Sequence, residues 1–276
     1  MSADQTLMVV HAHPDDEVPT TGGTLAKYAA RGVRTVLITC TNGDQGDGAD
    51  GAKPGDPAHD PSAVAAQRVR ELQASAAHLN ISHLELLDYP DSGVGGWPRN
   101  QDPANFSNQP LASVASRIAE LIRQYRPDVV VTYAQNGMSS HPDHVRTHEA
   151  TMAALEQVAA DAIDPTVYFT ALARSRLQAL HDAATGQDQW LPPIEIGTDD
   201  ALITTYVDIS SHIDAKVEAL RAHNSQADAT ALMRLLGNRN GPGLTRESFI
   251  RVRERAACIY VETDLFPVEK KVQRQQ

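Results

Sequence analysis

The order of apolar and polar runs along the chain predicts an α/β fold: a Rossmann-like, doubly wound, mostly parallel sheet with helices on both faces and a smaller C-terminal α+β portion. Three observations carry this expectation. Short runs rich in Val, Ile and Thr alternate with longer amphipathic ones, the pattern of parallel strands separated by covering helices. The two long loops, Asn42 to Pro61 and Asp88 to Pro110, both begin directly after a strand, where loops of this length form lids or walls of a site. Finally, 276 residues at 41% hydrophobic supply one substantial core, with nothing resembling a linker between two. The chain reads as a single domain over residues 1–276, with 1–160 as the Rossmann-like core and 161–276 completing the site.

The apolar runs Leu7 to His11, Thr35 to Cys40, Leu84 to Leu87 and Val129 to Tyr133 are the expected strands of the core. Between and after them the spacing predicts helices at about Thr24 to Arg31, Ala63 to Leu79, Leu111 to Tyr125 and Val145 to Ala159. The third places Leu111, Val114, Ile118, Leu121 and Ile122 on one face, and Pro127 stops it. Further on, Val167 to Leu172 and Leu202 to Ile209 read as strands, and Ile213 to His223 and Ala229 to Leu236 as helices.

A net charge of -11 with scattered Lys and Arg excludes a nucleic-acid or anionic-membrane footprint and favours a small-molecule partner. The opening residues lack a basic start, and no run approaches the roughly 20 apolar residues of a membrane span. Cys40 and Cys258 both lie in apolar runs and read as reduced, buried thiols, so a cytoplasmic location is expected. Oligomeric state is left open, a homo-oligomer included.

Chemistry concentrates at two strand ends. The first strand runs into His11-Ala12-His13-Pro14-Asp15-Asp16-Glu17, and the fourth is followed by His141-Pro142-Asp143-His144, with His148 one helical turn on. In a doubly wound sheet, ligands bind beyond the carboxyl ends of the strands where strand order reverses. With order 3-2-1-4 the first and fourth strands are neighbours there. A catalytic zinc takes three protein ligands and keeps a fourth position for water; His13, Asp16 and His144 supply that count. One Zn2+ per chain is expected, although such a donor set also accepts Fe2+. The metal lowers the pKa of its water, but a base must still take the proton and a leaving amine must be protonated. Asp15 and His141 stand beside the ligands for these tasks, and Asp143 is expected to hold the His141 imidazolium.

Blander readings exist for each residue. The acids at 15–17 suit a helix N-terminus, and Asp143 suits an N-cap. The joint occurrence of the two clusters favours the metal. A facial-triad iron oxygenase shares the ligands but leaves Asp15 and His141 without work. Their presence also argues against a metal- or sugar-binding protein without catalysis.

These motifs resemble the LmbE-like, or PIG-L, family of zinc-dependent N-deacetylases. The likeness extends to Thr41-Asn42-Gly43-Asp44-Gln45-Gly46, Arg68-Val69-Arg70-Glu71, Asp91-Ser92-Gly93, Tyr168-Phe169-Thr170-Ala171-Leu172, Lys216 and Ala222-His223-Asn224-Ser225-Gln226. The resemblance implies removal of an N-acetyl group from an amino sugar or its conjugate. It implies zinc on His13, Asp16 and His144, Asp15 as base and His141 as acid and oxyanion partner. Arg68, Asp91 and His223 would contact the sugar; Arg68 pairing only with Glu71, and Asp91 bracing only its own turn, are the competing readings. The later segments are most similar to the actinobacterial branch acting on mycothiol or its glucosaminyl-inositol precursor, with a mycothiol-conjugate amidase as the alternative. That branch carries a Tyr two positions before its His-Pro-Asp-His motif. Here Ser139 stands at that place, so another donor completes the oxyanion site or the substrate differs.

Overall fold

The computed structural model of the protein describes residues 5–48, 51–183, 191–227, 229, 231–233, 245–252 and 261–266. In chain order the elements are β1 (Thr6–His11), α1 (Glu17–Ala30), β2 (Arg34–Thr41), α2 (Pro61–His78), β3 (His83–Tyr89), α3 (Leu111–Tyr125), β4 (Val129–Tyr133), the single turn α4 (Gly137–Ser140), α5 (Pro142–Val158), β5 (Thr166–Ala171), α6 (Arg174–Ala183), β6 (Thr205–Asp208), α7 (Ile213–Ala222) and β7 (Arg246–Arg251). The strands form one sheet in the order β3-β2-β1-β4-β5-β7-β6. The first five are parallel, β7 runs antiparallel to β5, and β6 antiparallel to β7. The expected α/β class and strand order are therefore observed, and the C-terminal strands extend the same sheet.

Strand β1 is buried along its whole length because both faces are covered. Leu7 and Val9 point into one core with Leu25 and Tyr28 of α1, Leu72 of α2 and Leu220 of α7. Met8 and Val10 point into the other with Val114, Ile118 and Ile122 of α3 and Ala154 of α5. This two-residue alternation is why a central parallel strand reads as a continuous apolar run.

Helix α1 begins at Glu17, well before the predicted Thr24, because Pro19 falls in the first turn, where a missing N–H leaves no helical bond unmade. The poor propensity of Gly22 and Gly23 is overridden by tertiary contacts: Glu247 accepts the N–H groups of Gly23 and Thr24 at 2.9 and 2.7 Å, and Lys216 donates to the Pro19 carbonyl at 2.8 Å. Sequence patterning did not predict α6 or β7. The first carries only two leucines, and β7, Arg-Glu-Ser-Phe-Ile-Arg, is charged at both ends. Strand β6 starts at Thr205, after a short turn over Asp200–Leu202. The helix expected from Ala229 to Leu236 and the thiol of Cys258 lie largely or wholly outside the described residues. Among the described residues no helix is long and apolar enough to cross a membrane.

Candidate active site

The parallel pairing of β1 with β4 sets the two motif-bearing strand ends side by side. Beyond them three donor atoms converge: His13 Nδ1 lies 3.1 Å from Asp16 Oδ2 and 3.2 Å from His144 Nε2, and His144 Nε2 lies 3.3 Å from Asp16 Oδ2. Tetrahedral bonds of about 2.0–2.1 Å to N and O donors require ligand separations of roughly 3.3 Å, so this triangle fits one face of such a centre.

The outer contacts fix which nitrogens are donors. His144 Nδ1 is 3.0 Å from the Gly137 carbonyl, which can only accept, so the proton sits there and the Nε2 lone pair turns inward. His13 Nε2 is 3.3 Å from Asp143 Oδ2 and 3.6 Å from Asp91 Oδ1, which leaves Nδ1 to face inward. Two imidazole lone pairs and a carboxylate oxygen then meet at a point, an arrangement that a cation relieves. The wider grouping of His13, His141 and His144, and that of His13 with Asp91 and Asp143, also bring ligand atoms together. The second uses the nitrogen of His13 that carries the hydrogen bond to carboxylate, so it reads as the outer shell that orients the ring. Asp15, Asp16, Asp91 and Asp143 surround the site with Arg68 as counter-charge, a surplus of negative charge that suits a metal ion.

Two glycines make room for this geometry. Gly137 has φ +61°, and a Cβ there would lie 2.8 Å from His144 Cβ; Gly43, at φ +69°, would put one 2.4 Å from the Arg68 guanidinium. Asp15 adopts φ +122°, strain held in place by its N–H donating to Glu17 Oε2 at 3.0 Å. Burial pushes the Asp15 carboxyl up to about 6, against the pull of Arg68, whose Nη2 donates to it at 2.8 Å. For Asp91, burial is outweighed by the pairing with His13 and by the charge of Arg68, which hold it below the ordinary carboxylate range. Burial above all takes the His141 imidazole down to about 3.

The structure places the other predicted residues as follows. Asp143 does not hold His141 through its side chain: its backbone N–H donates to His141 Nδ1 at 3.2 Å, while the carboxylate accepts from Ser92 N at 2.9 Å and faces His13. The reason is helical geometry. His141 is the N-cap of α5 and Asp143 sits in the first turn, with its side chain directed back toward β1. Arg68 makes no pair with Glu71, which bonds Gln67 and Ser225; it joins Asp15 to Gly43 and the Pro14 carbonyl. Asp91 does brace its turn, accepting from Gly93 N at 2.7 Å, but also faces His13 and Arg68. With His13, Asp15 and His141 these two line a polar cavity of about 470 Å³, walled by Gln45 to Asp47 of the first long loop and by Val94 and Trp97 of the second.

His223 does not reach that cavity. It is 0% exposed, with Nε2 2.7 Å from Glu17 Oε1, because the end of α7 packs behind the start of α1. His11 is likewise buried, against Thr21, and His148 bonds the Tyr133 carbonyl. Tyr133 is a site residue the motifs did not reveal. Its hydroxyl donates to Asp16 Oδ2 at 2.7 Å, and its ring stacks on His144 with centroids 4.3 Å apart and planes within 6°. An aromatic residue ending the strand beside the histidine motif is the signal that would have found it. Ser139 is exposed and lines a second, apolar cavity.

Comparison with known proteins gives the family. The model of the family described as PIG-L, GlcNAc-PI de-N-acetylase, matches residues 8–155, more than half of the chain. The chain belongs to this family. A relative from Saccharopolyspora erythraea, 1D-myo-inositol 2-acetamido-2-deoxy-alpha-D-glucopyranoside deacetylase 1, is 38% identical over 82% of this chain and 79% of its own length. Membership makes the chain an enzyme that hydrolyses linear amide C–N bonds. Among solved structures, N,N'-diacetylchitobiose deacetylase of Pyrococcus horikoshii is similar with a TM-score of 0.56 at 19% identity, covering 90% of this chain and 84% of that one. The 4-carboxy-2-hydroxymuconate hydratase of Pseudomonas putida gives 0.59 at 20%, covering 91% and 98%. These two share the fold, and their differing chemistries show that the fold alone does not set the reaction.

Proposed function

We propose that the chain removes the N-acetyl group of a 2-acetamido-2-deoxyglucoside at a zinc ion held by His13, Asp16 and His144, with an inositol conjugate as the first substrate to test. The observation that carries this reading is the triangle of three inward-facing donor atoms, 3.1 to 3.3 Å apart, bordered by a strained carboxylate on one side and an imidazole on the other. The substrate class rests on the 38% identical relative.

A zinc ion bound there supplies Lewis acidity to the scissile carbonyl and to the attacking water. Asp15 takes the proton of that water; burial raises its affinity for one, and Arg68 fixes the carboxylate orientation. His141 accepts the Asp143 N–H at Nδ1, so its neutral ring carries hydrogen on Nε2 and donates a hydrogen bond to the oxyanion, while the proton taken up by Asp15 passes to the leaving amine. Asp143 acts as a positioning residue through His13, and Tyr133 through Asp16 and His144. Arg68 and Asp91 present polar groups to the sugar in the polar cavity. A free, buried Cys40 supports a cytoplasmic location.

The test is amine release from N-acetylglucosamine, its inositol conjugate and chitooligosaccharides, with metal analysis of the same sample. Asp15→Ala is expected to lower turnover by about 10²–10⁴-fold while metal content is kept. Full activity in that variant would refute the proton-transfer assignment.

A further inference from the structure

A second cavity, of about 340 Å³, opens beside the metal triad and differs in character from the polar one. Asp15, Asp16, Met138 and Ser139 are among its lining residues. Its walls are apolar: Leu172 beyond β5, Leu177 and Leu180 of α6, Ile196, Leu220 of α7 and Leu232. The charged pair in its lining is self-contained. Lys216 Nζ sits 2.6 Å from Glu247 Oε1 and donates to the Pro19 carbonyl, while Glu247 accepts the two α1 N–H groups. Arg176 donates to the Arg246 carbonyl. The space suits a hydrocarbon group.

The two cavities meet at Asp15, which lines both; His13 borders the polar one and Asp16 the apolar one. A substrate whose amide lies at the triad thus sends its two halves in opposite directions. Hydroxyl-bearing sugar fits the side with Gln45, Lys53, Arg68 and Asp91, so the acyl half points to the leucines. A methyl group fills little of 340 Å³.

We infer that the chain cleaves N-acyl amino sugars whose acyl chain is apolar and several carbons long, with that chain seated in the leucine-lined cavity. The inference rests on the amide-hydrolase reading above and extends its substrate class. The reaction is balanced by water alone: its oxygen bonds the acyl carbon, the C–N bond breaks, and the products are a carboxylate and a protonated amine.

The experiment compares amine release from N-acetyl-, N-butanoyl-, N-hexanoyl- and N-octanoylglucosamine by the full-length, metal-loaded enzyme. Each buried methylene is expected to raise kcat/KM about fourfold until the cavity fills. In Leu180→Trp, which places a larger side chain in the half-buried wall, the octanoyl-to-acetyl ratio falls at least tenfold. Ser139→Tyr, at an exposed lining residue, lowers the same ratio and gives a second variant that does not disturb the interior. Acetyl cleaved as well as or better than every longer acyl group overturns the inference. If no amide in the series is cleaved, the function proposed above fails, and calorimetry still decides the cavity. N-octanoylglucosamine binding tighter than glucosamine, with the gain lost in Leu180→Trp, supports it; equal binding overturns it.

Discussion

Replacing His223 by alanine separates a supporting role from substrate contact, because the two roles move different measurements. His223 and Glu17 are both 0% exposed and their charged atoms are 2.7 Å apart. Burial works against the carboxylate, and the His223 charge outweighs it, holding Glu17 below its ordinary range. Removing the imidazole leaves Glu17 with hydrogen bonds from Ser75 and from the Asp15 N–H but without a counter-charge. Truncating one partner of a buried pair costs about 3–5 kcal/mol, and the two remaining donors place this case near the lower end, about 3 kcal/mol. At about 2–4 °C per kcal/mol for a chain of this size, the melting temperature falls by roughly 6–12 °C. Since Glu17 also anchors the Asp15 N–H, the strained Asp15 backbone relaxes and kcat drops about tenfold or more with KM little changed. His223→Gln, which keeps an N–H donor toward Glu17, recovers part of both losses. Thermal and urea unfolding measured beside kcat and KM decide the matter. A variant that unfolds like the wild type and shows a raised KM alone refutes the support role and restores the substrate contact that the motif resemblance implied.

Three further outcomes follow from the geometry. Gly137→Ala drives a Cβ against His144 at a left-handed φ, and metal affinity measured by competition with a chromophoric chelator is expected to fall about 10–100-fold; unchanged affinity would show that the α4 turn does not set the His144 position. Asp264 accepts from Arg31 and Tyr28 at 2.7 Å each, and these bonds outweigh burial to depress its pKa. A depressed carboxylate contributes stability present above its unfolded pKa of about 3.9 and lost as pH falls through the folded value; the wild-type melting temperature should therefore drop more steeply below about pH 4 than that of Asp264→Asn, and parallel curves would exclude the pair as a source of acid sensitivity. Chelation should leave the protein inactive with an unchanged circular dichroism spectrum, because strand pairing and two apolar cores hold the sheet; unfolding on chelation would mean that the ion is structural.

What the sequence revealed of this molecule follows from how local the deciding interactions are. Helix α3 and strand β4 are legible to the residue, since an apolar face ended by Pro127 and an uninterrupted Val-Val-Val run are properties of neighbours in the chain. The convergence of His13, Asp16 and His144 is legible for a topological reason: connection rules make β1 and β4 adjacent, so two motifs 130 positions apart meet at the carboxyl ends of neighbouring strands. Strand β7 is not legible, because its place between β5 and β6 compensates a sequence that reads as loop. The roles of Tyr133, Asp143 and His223 are hidden for a related reason. Each depends on one long-range atom pair, to Asp16, His13 and Glu17 respectively, and residue spacing carries no information about which ring nitrogen or carboxylate oxygen faces which partner.

Those long-range pairs share a direction. His223 acts on Glu17, Glu17 on the Asp15 N–H, Asp143 on the outer nitrogen of His13, and Tyr133 on Asp16 and His144. The supports come from α7, α5 and β4, while the residues they orient lie at the end of β1 and the start of α5. Buried polar networks of this kind stabilise a fold weakly for the groups they consume, since each charge must be desolvated. They do restrict the donors to one arrangement, and a site that must turn two lone pairs and a carboxylate toward one point needs that restriction. The C-terminal third of the chain therefore bears on the chemistry through α7, as the part that locks the strand end on which Asp15 and Asp16 are carried.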